Sequence, residues 1–214
     1  MSLTAEPQPQ SLQSKPTPLR SPPMSSLRLF ATLLLLPLAA LAADRPLKVD
    51  RSRSFIDVDV KATVGSFVAH LDRYDVKLHA DDAGKLKGGG VFAFGFADLK
   101  TGKADRDAEM IQWLGGGEPA GKFELGTLAL TPDGQGQASG RLTFHGATQL
   151  IEFAVNVTQD EGTYTIIGQT VIDYRNWKLK VFRKAMLLKV APSVTIRFKL
   201  VGTLEAPVVT GASK

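Results

Sequence analysis

The chain has 214 residues, with 26 Lys and Arg against 21 Asp and Glu for a formal charge of +5, and it contains no cysteine. That length suits one domain of ordinary size with a self-sufficient core. Without cysteine there is no disulfide, thiol nucleophile or thiolate metal site, and the interspersed charges argue against a nucleic-acid partner.

Residues 1–23 carry Pro7, Pro9, Pro16, Pro18, Pro22 and Pro23 with no hydrophobic pattern, which reads as a disordered leader or a misassigned start codon. From Met24 the character changes. Arg28 supplies a cationic head, Leu29 to Ala39 an apolar run, and Ala40-Leu41-Ala42 a small-residue site, so residues 24–42 read as a cleaved secretory signal peptide. The apolar run is shorter than the roughly 20 residues that cross a bilayer, and Pro37 interrupts it. Cleavage removes Lys15, Arg20 and Arg28 from the 26 bases and Glu6 from the 21 acids, leaving 23 and 20, a balance of +3. The expected product is a periplasmic domain over residues 43–214 with no lipidated cysteine, hence soluble.

Alternation dominates from Ser54, where Ile56, Val58 and Val60 are apolar against Asp57, Asp59 and Lys61. A period of two marks a half-buried strand. Phe67 to His79, Val91 to Ala97, Phe123 to Leu130, Leu142 to Phe144, Ile151 to Val157, Tyr164 to Ile172 and Val194 to Leu204 follow, separated by turn signals such as Pro132-Asp133-Gly134 and Asp160-Glu161-Gly162. These amount to about eight antiparallel strands, which predicts an all-β sandwich or barrel. Between strands, Thr101 to Leu114 places Met110, Ile111, Trp113 and Leu114 at helical spacing before Gly115-Gly116-Gly117, a short amphipathic helix that could close one end. Tyr174 to Val190 mixes basic and apolar residues, and a loop with a helical turn and an extra strand both fit it.

Val91 to Ala97 is the most informative strand. Phe92, Phe94 and Phe96 share one face, with Ala93, Gly95 and Ala97 on the other. Phe123, Leu125, Leu142, Phe144, Ile151, Phe153, Val155, Ile196, Phe198 and Leu200 are the candidates to face those rings, with Arg141, His145, Glu152, Arg197 and Lys199 outward. Such an inner set either packs itself solid or leaves room for one elongated ligand, and composition does not separate the two.

Several fragments in order carry a resemblance: Val49-Asp50-Arg51-Ser52-Arg53-Ser54-Phe55-Ile56, Gly65-Ser66-Phe67, Thr101-Gly102 followed by Ala104-Asp105-Arg106-Asp107, and Gly140 to Thr148. Together they resemble the YceI-like family of periplasmic polyisoprenoid-binding proteins over about Leu47 to Leu204. The resemblance implies an eight-stranded antiparallel lipocalin-like barrel with a short helix near one end, whose apolar interior holds an isoprenoid or similar lipid, and it implies no enzymatic activity and no required cofactor. This chain departs from the family where Val60-Lys61-Ala62-Thr63 lacks a His after the first strand, where Glu109-Met110 replaces His-Leu, and where Tyr174-Arg175-Asn176-Trp177-Lys178 replaces an Arg-Ser-Asp-Phe-Gly stretch. The ligand's head group is what those departures affect. Arg106 and Asp107 either anchor the helix start or touch a head group, and Tyr174 and Trp177 are further candidates at the mouth.

The residues carry little sign of other chemistry. Gly116 to Lys122 has phosphate-loop spacing, but Phe123 stands where a magnesium-binding hydroxyl belongs, and helix precedes strand, the reverse of what that loop requires. His70 and His79 would point to opposite faces of one strand, so no metal site is expected. No catalytic residue is assigned, because no nucleophile elbow or distinctively spaced acid pair is present. The alternative to a lipid carrier is a filled barrel contacting a partner or a membrane surface transiently through Trp177 to Met186, where Lys178, Lys180, Arg183 and Lys184 suit an anionic surface. An enzyme acting on a lipid-like substrate ranks below both, and the oligomeric state, a dimer included, is open.

Overall fold

The structure, a computed structural model, describes residues 44–185 and 187–205. The leader and signal peptide read over residues 1–42 lie outside the described residues. The elements are β1 (Arg45–Val49), β2 (Phe55–Ala62), β3 (Gly65–Leu71), β4 (Tyr74–Lys77), β5 (His79–Ala80), β6 (Val91–Gly95), β7 (Leu99–Lys100), α1 (Ala104–Trp113), β8 (Ala120–Leu130), β9 (Gln135–Phe144), β10 (Ala147–Asp160), β11 (Thr163–Asp173), β12 (Arg183–Lys184), β13 (Leu188–Lys189) and β14 (Ser193–Leu204).

All pairings are antiparallel, and the main sheet runs β4-β6-β8-β9-β10-β11-β14-β2-β3-β7, with β1 on β14 and β5 on β1. The all-β expectation holds, but the strand count corrects the expected eight: ten strands lie on this path and the sheet has twelve. The reason is local. The segment read as one strand from Phe67 to His79 breaks at Asp72-Arg73 and again at Leu78, and the Phe strand stops at Gly95, where Phe96–Asp98 forms a 3-10 turn. The first and last of these breaks fall where the chain changes pairing partner, from β7 to β6 along β3–β4 and from β8 to β3 along β6–β7. β3 pairs with β7 and its continuation β4 pairs with β6, so the two ends of the path are joined through the chain and the sheet curls around an interior.

Local chemistry sets the hairpins. His145-Gly146 and Glu161-Gly162 are two-residue loops with φ of 46° and 68°, and 44° and 78°. Positive φ at both positions is the turn whose twist matches the flanking strands, and glycine holds the second position without strain. In β8 the register slips between Leu125 and Thr127, a bulge that adds curvature to a long strand.

Helix α1 starts three residues later than Thr101. Its first residue is preceded by Lys103, whose side chain makes no cap hydrogen bond. Asp107 does that work from inside the first turn: its carboxylate accepts from the Thr101 amide at 2.9 Å and from the Thr101 hydroxyl at 2.5 Å. The acid near the helix N-terminus thereby ties the helix to the end of β7. The undecided segment after β11 contains both alternatives, a 3-10 turn at Tyr174–Trp177 and the small hairpin β12–β13. Among the described residues, no helix is long and apolar enough to cross a membrane.

Candidate functional site: an apolar cavity

The inner faces of the strands enclose a cavity of about 840 Å³. Its walls follow from the alternation: Ile56, Val58 and Val60 of β2 point in while Asp57 and Asp59 stay outside, where Arg197 bridges both at 3.6 and 2.6 Å. The ring ladder is continuous. Tyr74, Phe92, Phe94, Phe96 and Phe144 succeed one another with centroids 5.4, 5.5, 5.2 and 5.6 Å apart, and Phe123, Phe153 and Phe198 form a second run at 5.8 and 5.7 Å. Offset and edge contacts at such spacing are the favoured geometries of aromatic pairs.

Space for the cavity comes from glycines under the rings. A Cβ at Gly121 would lie 2.3 Å from Phe94 Cζ, at Gly140 2.5 Å from Phe123 Cζ, and at Gly168 2.5 Å from Phe198 Cζ. Gly121 and Gly168 are the direct cross-strand partners of Phe94 and Phe198. Each ring therefore lies down on bare backbone rather than standing into the interior. The result shows in solvent exposure: Phe92, Phe94, Phe96, Phe123, Phe153 and Phe198 all face inward, yet none is fully buried. Side chains in a filled core of this apolarity would be.

The two ends differ. At one end Leu86 and Ala80, 5% and 0% exposed, cover the interior, and the Tyr164 hydroxyl donates to the Gly84 carbonyl at 2.6 Å. At the other, the lining residues that are exposed cluster on three pieces: Val64 to Ser66 in the β2–β3 turn, Lys103 to Asp105 at the start of α1, and Lys184 on the β12–β13 hairpin. This is the mouth.

Of the candidates named from sequence, Phe92, Phe94, Phe96, Phe123, Leu125, Leu142, Phe144, Phe153 and Phe198 line the cavity, as do Arg106 and Tyr174. Arg106 lies near the mouth with its guanidinium 3.8 Å from the Phe67 ring centroid, donates to the Thr101 carbonyl at 2.7 Å, and keeps a buried Nε without a partner. The Tyr174 hydroxyl donates to the Val190 carbonyl at 3.2 Å, and burial pushes its phenol pKa up. Asp107 and Trp177 do not line the cavity. Asp107 is spent on Thr101, while Trp177 is 1% exposed, stacks on Phe144 at 4.7 Å and donates from its indole to the Leu142 carbonyl at 2.9 Å. Sequence reasoning missed Val58, Val60, Phe67, Met110, Leu179, Phe182 and Leu188 as lining residues. For the two valines the alternation itself was the available signal, whereas Leu179, Phe182 and Leu188 sit in the stretch with no period.

The histidines stand apart. His70 bonds Asp57 at 2.7 Å and His145 bonds the Trp177 carbonyl at 2.8 Å. Among the described residues, no group of three or more His, Asp or Glu could hold a metal ion.

A family model described as the YceI-like domain matches residues 47–202. Among solved structures, the chain is similar to Burkholderia cenocepacia BcnA, at 17% identity and a TM-score of 0.59, covering 73% of this chain and 100% of that one. It is also similar to a mutant Campylobacter jejuni YCEI protein solved with a monobromobimane guest, at 14% identity and a TM-score of 0.51, covering 64% and 84% of the two chains. No curated protein matches the sequence significantly. The family match spans most of the chain and the structural likeness carries the fold, so the chain belongs to the YceI-like family.

Proposed function

We propose that this chain is a periplasmic carrier or sequestering protein, exported through a cleaved signal peptide, that holds an isoprenoid, quinone or fatty-acyl-type lipid in its interior. It performs no chemistry on that lipid. The observation that carries this reading is the cavity of about 840 Å³, walled by aromatic and aliphatic side chains with charged groups gathered mainly at its mouth. The curled antiparallel sheet wraps this cavity, and small barrels of this kind can house one small ligand. Binding is driven by removing an apolar chain from water, offset in part by the cost of ordering that chain. The polar end of the lipid stays at the mouth, where the Arg106 guanidinium lies among the lining residues.

Mass spectrometry of lipid extracted from the purified protein tests this directly. One lipid per chain is expected, and added isoprenoid or quinone should raise the melting temperature of the stripped protein. Empty extracts together with no thermal shift on addition would refute the carrier reading, and chemical turnover of the added lipid would point to an enzyme instead.

A further inference from the structure

We propose that the mouth of the cavity is a docking surface for an anionic phospholipid bilayer, so that lipid passes between membrane and barrel without crossing water. The proposal rests on the cavity being a lipid site and adds where, and against what, it opens. Three observations converge on one end of the molecule.

The first is apolar exposure. Val64 and Leu187 are 69% and 79% exposed, the two most exposed large apolar side chains among the described residues. They sit on neighbouring loops, because the Thr63 hydroxyl donates to the Leu187 carbonyl at 2.5 Å and accepts from the Lys189 amide at 3.1 Å. Two apolar tips stapled together beside a cavity entrance are placed to enter the headgroup region of a bilayer.

The second is charge. Lys61, Lys103, Arg183, Lys184 and Lys189 stand at the same end of the barrel, all exposed. The acids at this end are Asp105, Asp107, Glu109, Glu118 and Asp173; Lys184 is spent on Glu109 and Arg175 on Asp173, which leaves three acids against Lys61, Lys103, Arg183 and Lys189, with Arg106, Lys178 and Lys180 at the same end. The excess at the mouth is therefore positive.

The third is polarity along the barrel. Strand direction puts the turns holding Asp81-Asp82, Asp133 and Asp160-Glu161 at the opposite end, around the closed bottom, where these acids together with Asp44 and Glu205 outnumber the bases beside them, Arg45, Lys85 and Lys87. An acidic bottom and a basic mouth orient the molecule in the field of an anionic surface, mouth first.

Vesicle co-sedimentation tests this, using the chain as it is recovered from the cells that make it. Wild type and variants share one N-terminus, so any contribution from residues 1–43 cancels in the comparison. Wild type is expected to bind vesicles of phosphatidylglycerol and phosphatidylcholine, to leave pure phosphatidylcholine vesicles free, and to be released by high salt. Arg183→Gln combined with Lys189→Gln should weaken anionic-vesicle binding by roughly 30-fold, the two basic side chains contributing about equally to attraction by the surface. Leu187→Asp should weaken it as well. None of these three residues lines the cavity, so all variants should take up a fluorescent fatty-acyl probe from vesicle-free solution as wild type does. Equal binding to both vesicle types, or anionic binding that neither variant weakens, overturns the docking proposal while the probe assay still reports on the cavity. If the probe fails to bind any form but anionic vesicles are bound in the expected pattern, the carrier reading falls and the docking surface stands.

Discussion

Two neighbouring apolar regions are built from the same residue types and end up opposite in character. Around Trp177 the packing is solid: the indole lies against Phe144 with an interplanar angle of 15°, its N–H is satisfied by Leu142, and it is 1% exposed. One step away, Phe94 meets Phe96 and Phe153 meets Phe198 edge to face, Phe123 lies tilted against Phe153, and the rings still leave about 840 Å³ open. Hydrophobicity does not explain the difference. Rings laid flat on Gly121, Gly140 and Gly168 make a wall, whereas the indole that the Tyr174–Trp177 turn packs onto Leu142 and Phe144 of β9 makes a plug.

The contrast can be broken most visibly at the plug. Trp177→Ala removes a fully packed indole and leaves a void, costing about 3–5 kcal/mol, which for a domain of this size lowers Tm by roughly 10 °C. Phe153→Ala on the hollow wall should cost about 1–2 kcal/mol, because that ring already faces open space on one side. Thermal melts followed by circular dichroism compare them, and equal losses would mean that the wall is as solid as the plug.

A smaller effect separates wall from cavity. In Gly168→Ala the new Cβ would sit 2.5 Å from Phe198 Cζ and 3.1 Å from the Ala154 carbonyl oxygen, so the ring must lift into the interior. Overpacking of this kind costs about 1–3 kcal/mol. The open space should hold the loss near the lower figure, while the cavity shrinks and affinity for a fatty-acyl probe falls. Unchanged probe affinity would show that the glycine does not set the bore.

Asp107→Ala tests whether the helix at the mouth depends on its tie to Thr101. Loss of the paired hydrogen bonds should cost about 1 kcal/mol, and hydrogen exchange should rise in α1 while the amides around Trp177 stay protected. Uniformly raised exchange would indicate that mouth and plug open as one unit.

The smallest effect belongs to the outer face. The Arg197 guanidinium beside Asp59 holds that carboxyl below the usual aspartate range. A depressed folded-state value contributes stability that is present above the unfolded pKa and is lost as pH falls through the folded one. Melts taken below about pH 4 should therefore show a shallower loss of Tm for Asp59→Asn than for wild type, with both converging at the acid limit. Parallel curves would assign the acid sensitivity elsewhere.

Much of this was legible in the residues. Alternation in Ile56-Asp57-Val58-Asp59-Val60 placed the inner and outer faces of β2, and Phe92, Phe94 and Phe96 fell on one face for the same reason. Glu161-Gly162 announced its hairpin, and the spacing from Met110 to Leu114 its helix. The strand breaks at Asp72-Arg73 and after Gly95 were not legible, since they fall where the chain passes from one pairing partner to another, which no local preference announces. Trp177 reads from sequence as a mouth residue; it lies at that end of the barrel but is buried against Phe144 instead of lining the opening, because a segment without period gives no direction to its side chains.

The short-range part of the fold thus follows from the residues alone: an all-β chain with one helix, the apolar face of each strand, and the positions of the turns. All are consequences of period and turn chemistry within a few residues. Whether the apolar interior is filled was settled instead by packing across the sheet. That depends on which glycine of one strand meets which ring of the next, as Gly121 meets Phe94 and Gly168 meets Phe198. Such a pairing depends on register between strands far apart in the chain, and register is a property of the closed sheet rather than of any segment within it.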